Sequence, residues 1–461
     1  MASSEVKSWQ QRSIDKQPEM NLVSLGAVAN GKSSLVEAMT GKYTPQHSKE
    51  QKQGITINLG YAGLKIWKCP NCPEPECYQG TSSEVMEKRC HFNHCQSLCE
   101  LQRHFSIVDC PGHESLMATM LGGAAVMDAG ILLMAVNNKM PESQTRDHMI
   151  AASVLGADQF VVCLNKWDLI GFDKIEEKYT EAVEFMEYAG IENAPIVPIA
   201  AKKKINVDVV LEYLCTQLNP VPRDITCEPL MIVLRSFNNN SPSIYSPSKG
   251  LIGGILGGAL MKGSLKIGDE IEIRPGRVQI NSAYNNDKDN QPRFIYHPIK
   301  SRVISLNTEQ ISLEEAYPGG LVGVKTTLDP ALTKNNQLVG SVIGQHGCMP
   351  CVYEKIIIKY NLLKHLSSSN GKDEKKKKFK KIEKGTRVLL NIHSAQVTGI
   401  VTNVPEKKNM EITFDNIPVC IPSGQRVPIS MEIEYKWKLV GSGIFISGTE
   451  SKCLVNDNIS Q

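Results

Sequence analysis

The stretch Gly26-Ala27-Val28-Ala29-Asn30-Gly31-Lys32-Ser33 narrows the possible folds of this chain more than any other. It lies between an apolar run, Leu22 to Leu25, and a helical stretch, Ser33 to Met39. A G-x-x-x-x-G-K-S sequence in that setting is a phosphate-binding loop. Backbone N–H groups of the loop and of the helix start surround phosphate oxygens, the lysine brings a point charge to the β- and γ-phosphates, and the serine hydroxyl can ligate Mg²⁺. The loop needs a strand before it and a helix after it, so it demands an α/β layer. The rest of residues 21–218 agrees. Phe105 to Val108, Ile131 to Val136, Phe160 to Leu164 and Ile196 to Ile199 read as buried strands. Glu114 to Met127, Ser143 to Leu155 and Ile175 to Ala189 read as helices. Such alternation predicts a mostly parallel sheet covered by helices on both faces.

Two further motifs sit at strand ends. Asp109-Cys110-Pro111-Gly112 has the D-x-x-G form. Its carboxylate can hold a metal through water, and its glycine N–H can meet a γ-phosphate. Asn165-Lys166-Trp167-Asp168 is an N-K-x-D sequence. The Asp168 carboxylate accepts from the ring N1–H and the exocyclic amine that guanine alone offers together; adenine would leave that charge unpaired in a partly buried site. Three ordered motifs on three strands of one α/β domain point to a guanine-nucleotide site bound through Mg²⁺.

The segment Asn219-Pro220-Val221-Pro222-Arg223 ends the pattern, because paired prolines stop helices and stiffen connections. Beyond it the runs are short, β-rich and separated by glycine turns, as in one or two barrels or sandwiches, with a boundary near Gly344 to Pro350. The glycine-rich run Gly250 to Met261 reads as a glycine-bent barrel strand. Of 461 residues, 41% are hydrophobic and 21% charged, which excludes a wholly disordered chain. The net charge of +3 neither demands nor forbids a nucleic acid. No run has the roughly 18 apolar residues of a membrane helix, and residues 1–20 are unlike a signal peptide, so a cytoplasmic protein is expected. Lys372 to Lys384 reads as a solvated loop, with an RNA-phosphate contact as the sharper alternative. His148 packs or caps, and Met117, Met120, Leu121 and Ala124 form a core-facing stripe.

Residues 20–220 resemble the GTP-binding domain of translational GTPases. Gly54-Ile55-Thr56-Ile57 resembles their first switch, whose threonine, here Thr56, reaches Mg²⁺ in the GTP state. Asp109 to His113 resembles their second switch, which places His113 as the water-orienting histidine and Val28 with Ile55 as the apolar gate before it. Lys262 to Ile271 is similar to the first barrel of the elongation factor Tu class. A closer resemblance, over residues 20 to about 445, is to the gamma-subunit family of eukaryotic and archaeal translation initiation factor two. It rests on Asp109 to Asp128, on Ala29 where elongation factors have aspartate, on the cysteine-rich interruption of the switch region, on Met231 to Phe237, on Pro318 to Val324 and on Tyr435 to Gly441. Asn30 replaces that family's histidine, Ser34 its threonine, and Ala200-Ala201-Lys202 its serine-alanine turn behind guanine, where a backbone N–H makes the contact.

The resemblance implies an α/β P-loop GTPase domain followed by two β-barrel domains: a tail at 1–19, the GTP-binding domain at 20–222 with an insertion at 67–100, and barrels at 223–345 and 346–461. It implies nucleotide contacts from Ala29, Asn30, Gly31, Lys32, Ser33, Ser34, Asn165, Lys166, Asp168, Ala200, Ala201 and Lys202. Ser33, Thr56 and Asp109 would serve Mg²⁺, and His113, Thr56 and Gly112 would serve catalysis. Fourteen cysteines are many for a reducing compartment, and six lie between Cys69 and Cys99. Two thiolate pairs about twenty residues apart can form a Zn²⁺ knuckle, which the resemblance also implies. The favoured set is Cys69, Cys72, Cys90 and Cys95, with Cys77, Cys99, His91 and His94 as alternates. Cys348 and Cys351 form a lone C-x-x-C read as structural or accidental.

The function implied is a GTP-dependent carrier of initiator methionyl-tRNA to the small ribosomal subunit, with hydrolysis of GTP to GDP as the release switch. Its partners would be two unlike subunits (alpha and beta of the factor) and separate activating and nucleotide-exchange proteins, with no membrane. Alternatives are an elongation-type aminoacyl-tRNA carrier, including the selenocysteine-specific kind, and a GTPase subunit of a sulfate-adenylylating enzyme. Ala29 and the cysteine insertion oppose the elongation reading. A scaffold that never turns over is opposed by His113 and Thr56.

Overall fold

The computed structural model describes residues 14–44, 56, 58–189, 191, 194–238, 240, 253–282, 284, 292–363, 382–404, 408–433 and 436–454. Of the sequence features above, residues 1–13 of the tail, Gly54, Ile55, Ile57, residues 250–252 of the glycine-rich run, Tyr435 and the Lys372 to Lys381 part of the basic run lie outside these residues.

The first domain is a mixed, mostly parallel sheet. Its strands are β1 (Met20–Leu25), β2 (Gly60–Lys68), β3 (Tyr78–Thr81), β4 (Glu100–Asp109), β5 (Ala129–Ala135), β6 (Phe160–Asn165) and β7 (Ile196–Ile199), in the order β3-β2-β4-β1-β5-β6-β7. The pairs from β4 through β1, β5 and β6 to β7 are parallel, while β2 runs antiparallel to β4 and β3. β2 escaped the sequence reading because Lys65 and two glycines interrupt its apolar run. The helices are α1 (Lys32–Thr40), α2 (Met117–Ala124), α3 (Ser143–Leu155), α4 (Ile175–Tyr188) and α5 (Val207–Thr216). Leu35 and Met39 of α1 and Val210 and Leu214 of α5 share one core with one sheet face. Met120 of α2, Met149 of α3 and Phe185 of α4 share the core on the other. The helix expected over Glu114 to Met127 is shorter. It opens with a 3-10 turn at Glu114–Leu116 and ends at Ala124, just after Gly122-Gly123, the poorest helix formers in the run.

Two closed barrels follow. In the first, the strand Glu270–Ile280 closes onto Phe294–Thr308 after passing through Val342–Gln345, Leu230–Phe237, Ile255–Lys262 and Leu321–Thr326. In the second, Val352–Leu362 closes onto Asn409–Phe414. Closure removes the exposed edges an open sheet would present. Period-2 alternation of buried and half-buried positions along Val352–Leu362 fills that barrel with Ile356, Ile358 and their neighbours. Gly258 shows why one strand needs glycine: a Cβ there would lie 1.8 Å from the Ile232 carbonyl oxygen. Among the described residues no helix is long and apolar enough to cross a membrane.

Specific polar contacts join the three bodies. The Gln17 amide donates to Tyr317 O at 2.6 Å and accepts from Tyr317 N at 3.1 Å, and Asn21 Nδ2 donates to Gly319 O at 2.6 Å. These tie the first barrel to the sheet. Asn391 Nδ2 of the second barrel donates to Ala118 O of α2 at 3.1 Å, and Ser394 Oγ donates to Val233 O of the first barrel at 2.5 Å. A cavity of about 630 Å³ lies between the sheet and the first barrel, with Tyr61, Gly63, Arg235 and Glu309 in its wall.

Candidate nucleotide and metal sites

The chain leaves β1 at Gly26 with φ 133°, where a Cβ would lie 2.3 Å from Leu133 O, so only glycine fits. Ala29 and Gly31 follow in left-handed conformations, φ 63° and 93°, and the loop curls round to start α1. Inside it Lys32 Nζ donates to Gly26 O and Ala27 O, each at 2.9 Å. Burial pulls the Lys32 pKa below the ordinary lysine value, opposed by the Asp109 carboxylate. Gly112 closes the top: a Cβ there would lie 2.6 Å from both Lys32 Nζ and Val28 N. Behind the loop, Gly26 N donates to His148 Nδ1 at 3.1 Å and Ala27 N to Thr145 Oγ1 at 3.2 Å. Burial drives the His148 pKa down to about 3, which keeps the ring neutral and able to accept. Asn30 turns inward, donating to Leu133 O at 3.0 Å. Ser34 lies half-buried on the first turn of α1.

Oxygen donors converge beside the lysine. Asp109 Oδ2 accepts from Ser33 Oγ at 2.6 Å and from Thr44 Oγ1 at 2.5 Å, and Ser33 Oγ lies 3.1 Å from Thr56 Oγ1. Ser24 Oγ donates to Asp109 Oδ1 at 2.7 Å and orients the carboxylate. A carboxylate with hydroxyls is the hard-oxygen set that suits Mg²⁺. Ser33, Thr56 and Asp109 are the residues the sequence nominated. Thr44 and Ser24 were missed, and no local motif marks either.

Asn165 ties the base-side loops together. Its Nδ2 donates to Asn30 O at 2.9 Å, and its Oδ1 accepts from Lys166 N at 2.8 Å and Ala201 N at 3.0 Å. Lys166 is left-handed at φ 70°, which turns the chain toward Asp168. Ala200 and Ala201 are buried and Lys202 is exposed. Asp168 Oδ2 is 3.1 Å from Nζ of Lys203, a residue the sequence reading passed over in favour of Lys202.

His113 stands exposed at the start of the second-switch turn, with Nδ1 2.8 Å from Ser115 Oγ. Cys110, the first residue beyond the Asp109 end of β4, is fully buried, and burial pushes its thiol far up, away from thiolate character. Away from the nucleotide loop, the arch running from β2 through β3 to β4 gathers four sulfurs. Cys69 Sγ is 3.5 Å from Cys95 Sγ, Cys72 Sγ is 3.6 Å from Cys90 Sγ, and all four lie within 4.8 Å of one another. Hydrogen bonding to Ser97 draws the Cys95 thiol down to about 6. Four sulfurs at this spacing fit a tetrahedral Zn²⁺ site. Cys77 and Cys99 lie in the same core as Cys69 and Cys90 but outside the group of four, and the His91 and His94 rings pack against Phe92 with centroids 4.1 and 5.4 Å away.

A phosphate loop, a D-x-x-G switch and an N-K-x-D turn on one mixed sheet, followed by two closed barrels, define a GTPase of the elongation factor Tu type. The profile of the elongation factor Tu GTP binding domain matches residues 17–220, and that of initiation factor eIF2 gamma, C terminal, matches residues 354–445. The chain is 41% identical over 443 residues to the gamma subunit of eukaryotic translation initiation factor 2 from Schizosaccharomyces pombe, covering 95% of this chain and 96% of that one. Subunit 3 of the factor from Drosophila melanogaster is 39% identical (94% of this chain, 90% of that one), and the gamma subunit from Archaeoglobus fulgidus is 39% identical (93% and 94%). The chain belongs to the gamma-subunit family of eukaryotic and archaeal translation initiation factor 2, and is a translation initiation factor GTPase. Among solved structures it shares its fold with a bacterial selenocysteine-specific elongation factor (TM-score 0.66, 16% identity, 93% of this chain and 58% of that one). It shares it also with elongation factor SelB from Methanococcus maripaludis in complex with a GTP analogue (TM-score 0.65, 17% identity, 94% and 80%).

Proposed function

We propose that this chain carries initiator methionyl-tRNA to the small ribosomal subunit in its GTP state and releases it after hydrolysis. As the central member of a heterotrimer, it would be served by separate activating and exchange proteins in the cytoplasm. The observation that supports this most is relationship to gamma subunits over nearly the whole length, both barrels included. The two elongation factors among the solved structures share the fold at only 16% and 17% identity.

In this reading Lys32 and the loop amides from Ala29 to Ser34 hold the β- and γ-phosphates. Asn165, Lys166, Asp168 and the Ala200 to Lys202 turn hold guanine. Ser33, Asp109 and Thr56 would hold Mg²⁺, which when bound neutralises charge developing between the β- and γ-phosphoryl oxygens. Gly112 N–H and Thr56 sense the γ-phosphate, and His113 orients the attacking water; loss of the γ-phosphate frees both switches. The second switch leads directly into α2, whose Ala118 carbonyl is bonded by the second barrel, so switch movement has a path to the barrels. Zn²⁺ on Cys69, Cys72, Cys90 and Cys95 would brace the arch that joins β2 to β4.

Filter binding of charged initiator and charged elongator tRNA, each with GTP, GDP and no nucleotide, tests the proposal. Binding that is strongest for initiator tRNA with GTP is the expected outcome. Equal binding of the two tRNAs, or indifference to nucleotide, would sink it.

A further inference from the structure

Both oxygens of the Asp168 carboxylate are needed to read guanine fully. Guanine presents N1–H and the exocyclic amine side by side, and a carboxylate matches them with one oxygen each. One of these oxygens already has a partner: Lys203 Nζ lies 3.1 Å from Asp168 Oδ2. The lysine is placed there by a built turn. Ala200 and Ile205 exchange two backbone hydrogen bonds of 3.2 Å, Lys203 N donates to Ala200 O at 2.9 Å, and Lys204 N donates to Ala201 O at 3.1 Å. Lys204 and Asn206 are both left-handed, φ 56° and 57°, and Asn206 Nδ2 donates to Pro198 O at 2.8 Å. The backbone that carries Lys203 is therefore rigid, while its side chain is 59% exposed and free to swing. Asp168 itself is only 22% exposed.

We propose that Lys203 sets the strength of guanine recognition by competing with the base's exocyclic amine for one oxygen of Asp168. This rests on the reading of Asp168 as the guanine-binding carboxylate. A lysine is a compact charge on a flexible stem, so it can hold the carboxylate and yield it again without disturbing the turn. Because the lysine is exposed to solvent, the competition is mild, worth up to about five-fold in an equilibrium constant. It works as a brake on affinity. It shortens the residence of GDP and GTP alike, since the two share the base, and suits a switch whose nucleotide must be exchanged. Inosine nucleotides separate this effect from general electrostatics. Hypoxanthine keeps N1–H but lacks the exocyclic amine, so it needs one carboxylate oxygen and leaves the other to the lysine.

Calorimetric affinities for GDP and IDP, measured on wild-type protein, Lys203→Met and Lys203→Arg, test the proposal. Lys203→Met should bind GDP about two- to five-fold more tightly and IDP as wild type does, which widens GDP-over-IDP discrimination by the same factor. Lys203→Arg keeps the charge and should restore the wild-type ratio. Unchanged or weaker GDP binding by Lys203→Met, or a parallel shift for GDP and IDP, would overturn the competition. Asp168→Asn tests the underlying reading separately: it should prefer XDP to GDP, and a retained preference for GDP would remove Asp168 from base recognition whatever Lys203 does.

Discussion

Replacing Asn165 with alanine probes how the nucleotide site is held together. The side chain is 3% exposed and joins three loops through Asn30 O, Lys166 N and Ala201 N. The Lys166 bond is local and half-exposed, so its loss counts for little. Asn30 and Ala201 are buried, at 1% and 2% exposure, so truncation leaves one carbonyl and one N–H without a partner in the interior. Each such group costs about 1–3 kcal/mol, giving about 2–6 kcal/mol together. Both groups belong to loops that face the nucleotide, so the penalty should fall on the binding-competent arrangement. With 1.4 kcal/mol per factor of ten, the lower bound corresponds to about a 30-fold loss of affinity, equal for GDP and GTP because the γ-phosphate is remote from Asn165. Calorimetry gives the affinities. Hydrogen exchange at the Ala201 amide reports the broken bond directly and should accelerate. Affinities within about three-fold of wild type together with unchanged exchange at Ala201 would refute the assignment of Asn165 as the knot of the site.

If His113 positions water without holding nucleotide, as proposed, His113→Ala should lower activator-stimulated, single-turnover GTP hydrolysis by about 10²-fold while nucleotide affinity stays within a few-fold. Elemental analysis of protein never exposed to chelator should find one zinc per chain. Cys95→Ala should lose that metal and keep its GTP affinity within a few-fold, since the proposed nucleotide contacts all lie outside the arch. Acid should destabilise the fold through buried neutral histidines: burial holds His104 and His148 down to about 3 and His393 down to about 4. Unfolding lets these rings protonate near their ordinary pKa, so their contribution is complete above about pH 6.5 and shrinks as pH falls toward the folded values, by about 1.4 kcal/mol per pH unit for each ring. Urea midpoints between pH 7 and 5 should therefore fall less steeply in His393→Asn, a residue that tolerates the left-handed φ of 52° at this turn; an unchanged slope would show that His393 does not take part.

The motifs and the main strands were legible in the sequence because their cause is local. A glycine loop between an apolar run and a helix, or a carboxylate at a strand end, works through residues adjacent along the chain, and burial of parallel strands on both faces leaves continuous apolar runs such as Ile131 to Val136. The same logic failed at β2, where Lys65 breaks the run although its side chain is fully buried and donates to Val85 O at 3.0 Å. It failed at α5, whose short amphipathic run precedes the proline linker, and at Lys203, which looks like its neighbours until the turn aims it at Asp168. Spacing likewise left several cysteine sets open. The arch brings the sulfurs of Cys69, Cys72, Cys90 and Cys95 within 4.8 Å of one another and leaves Cys77 and Cys99 outside that group. Tertiary structure alone also put Thr44 on Asp109 and joined the second barrel to α2, contacts that span 65 and 273 residues of chain. Backbone chemistry acts over a few residues and leaves a signature in their order. A contact across such separations depends on how whole elements pack, and no local pattern of side chains records it.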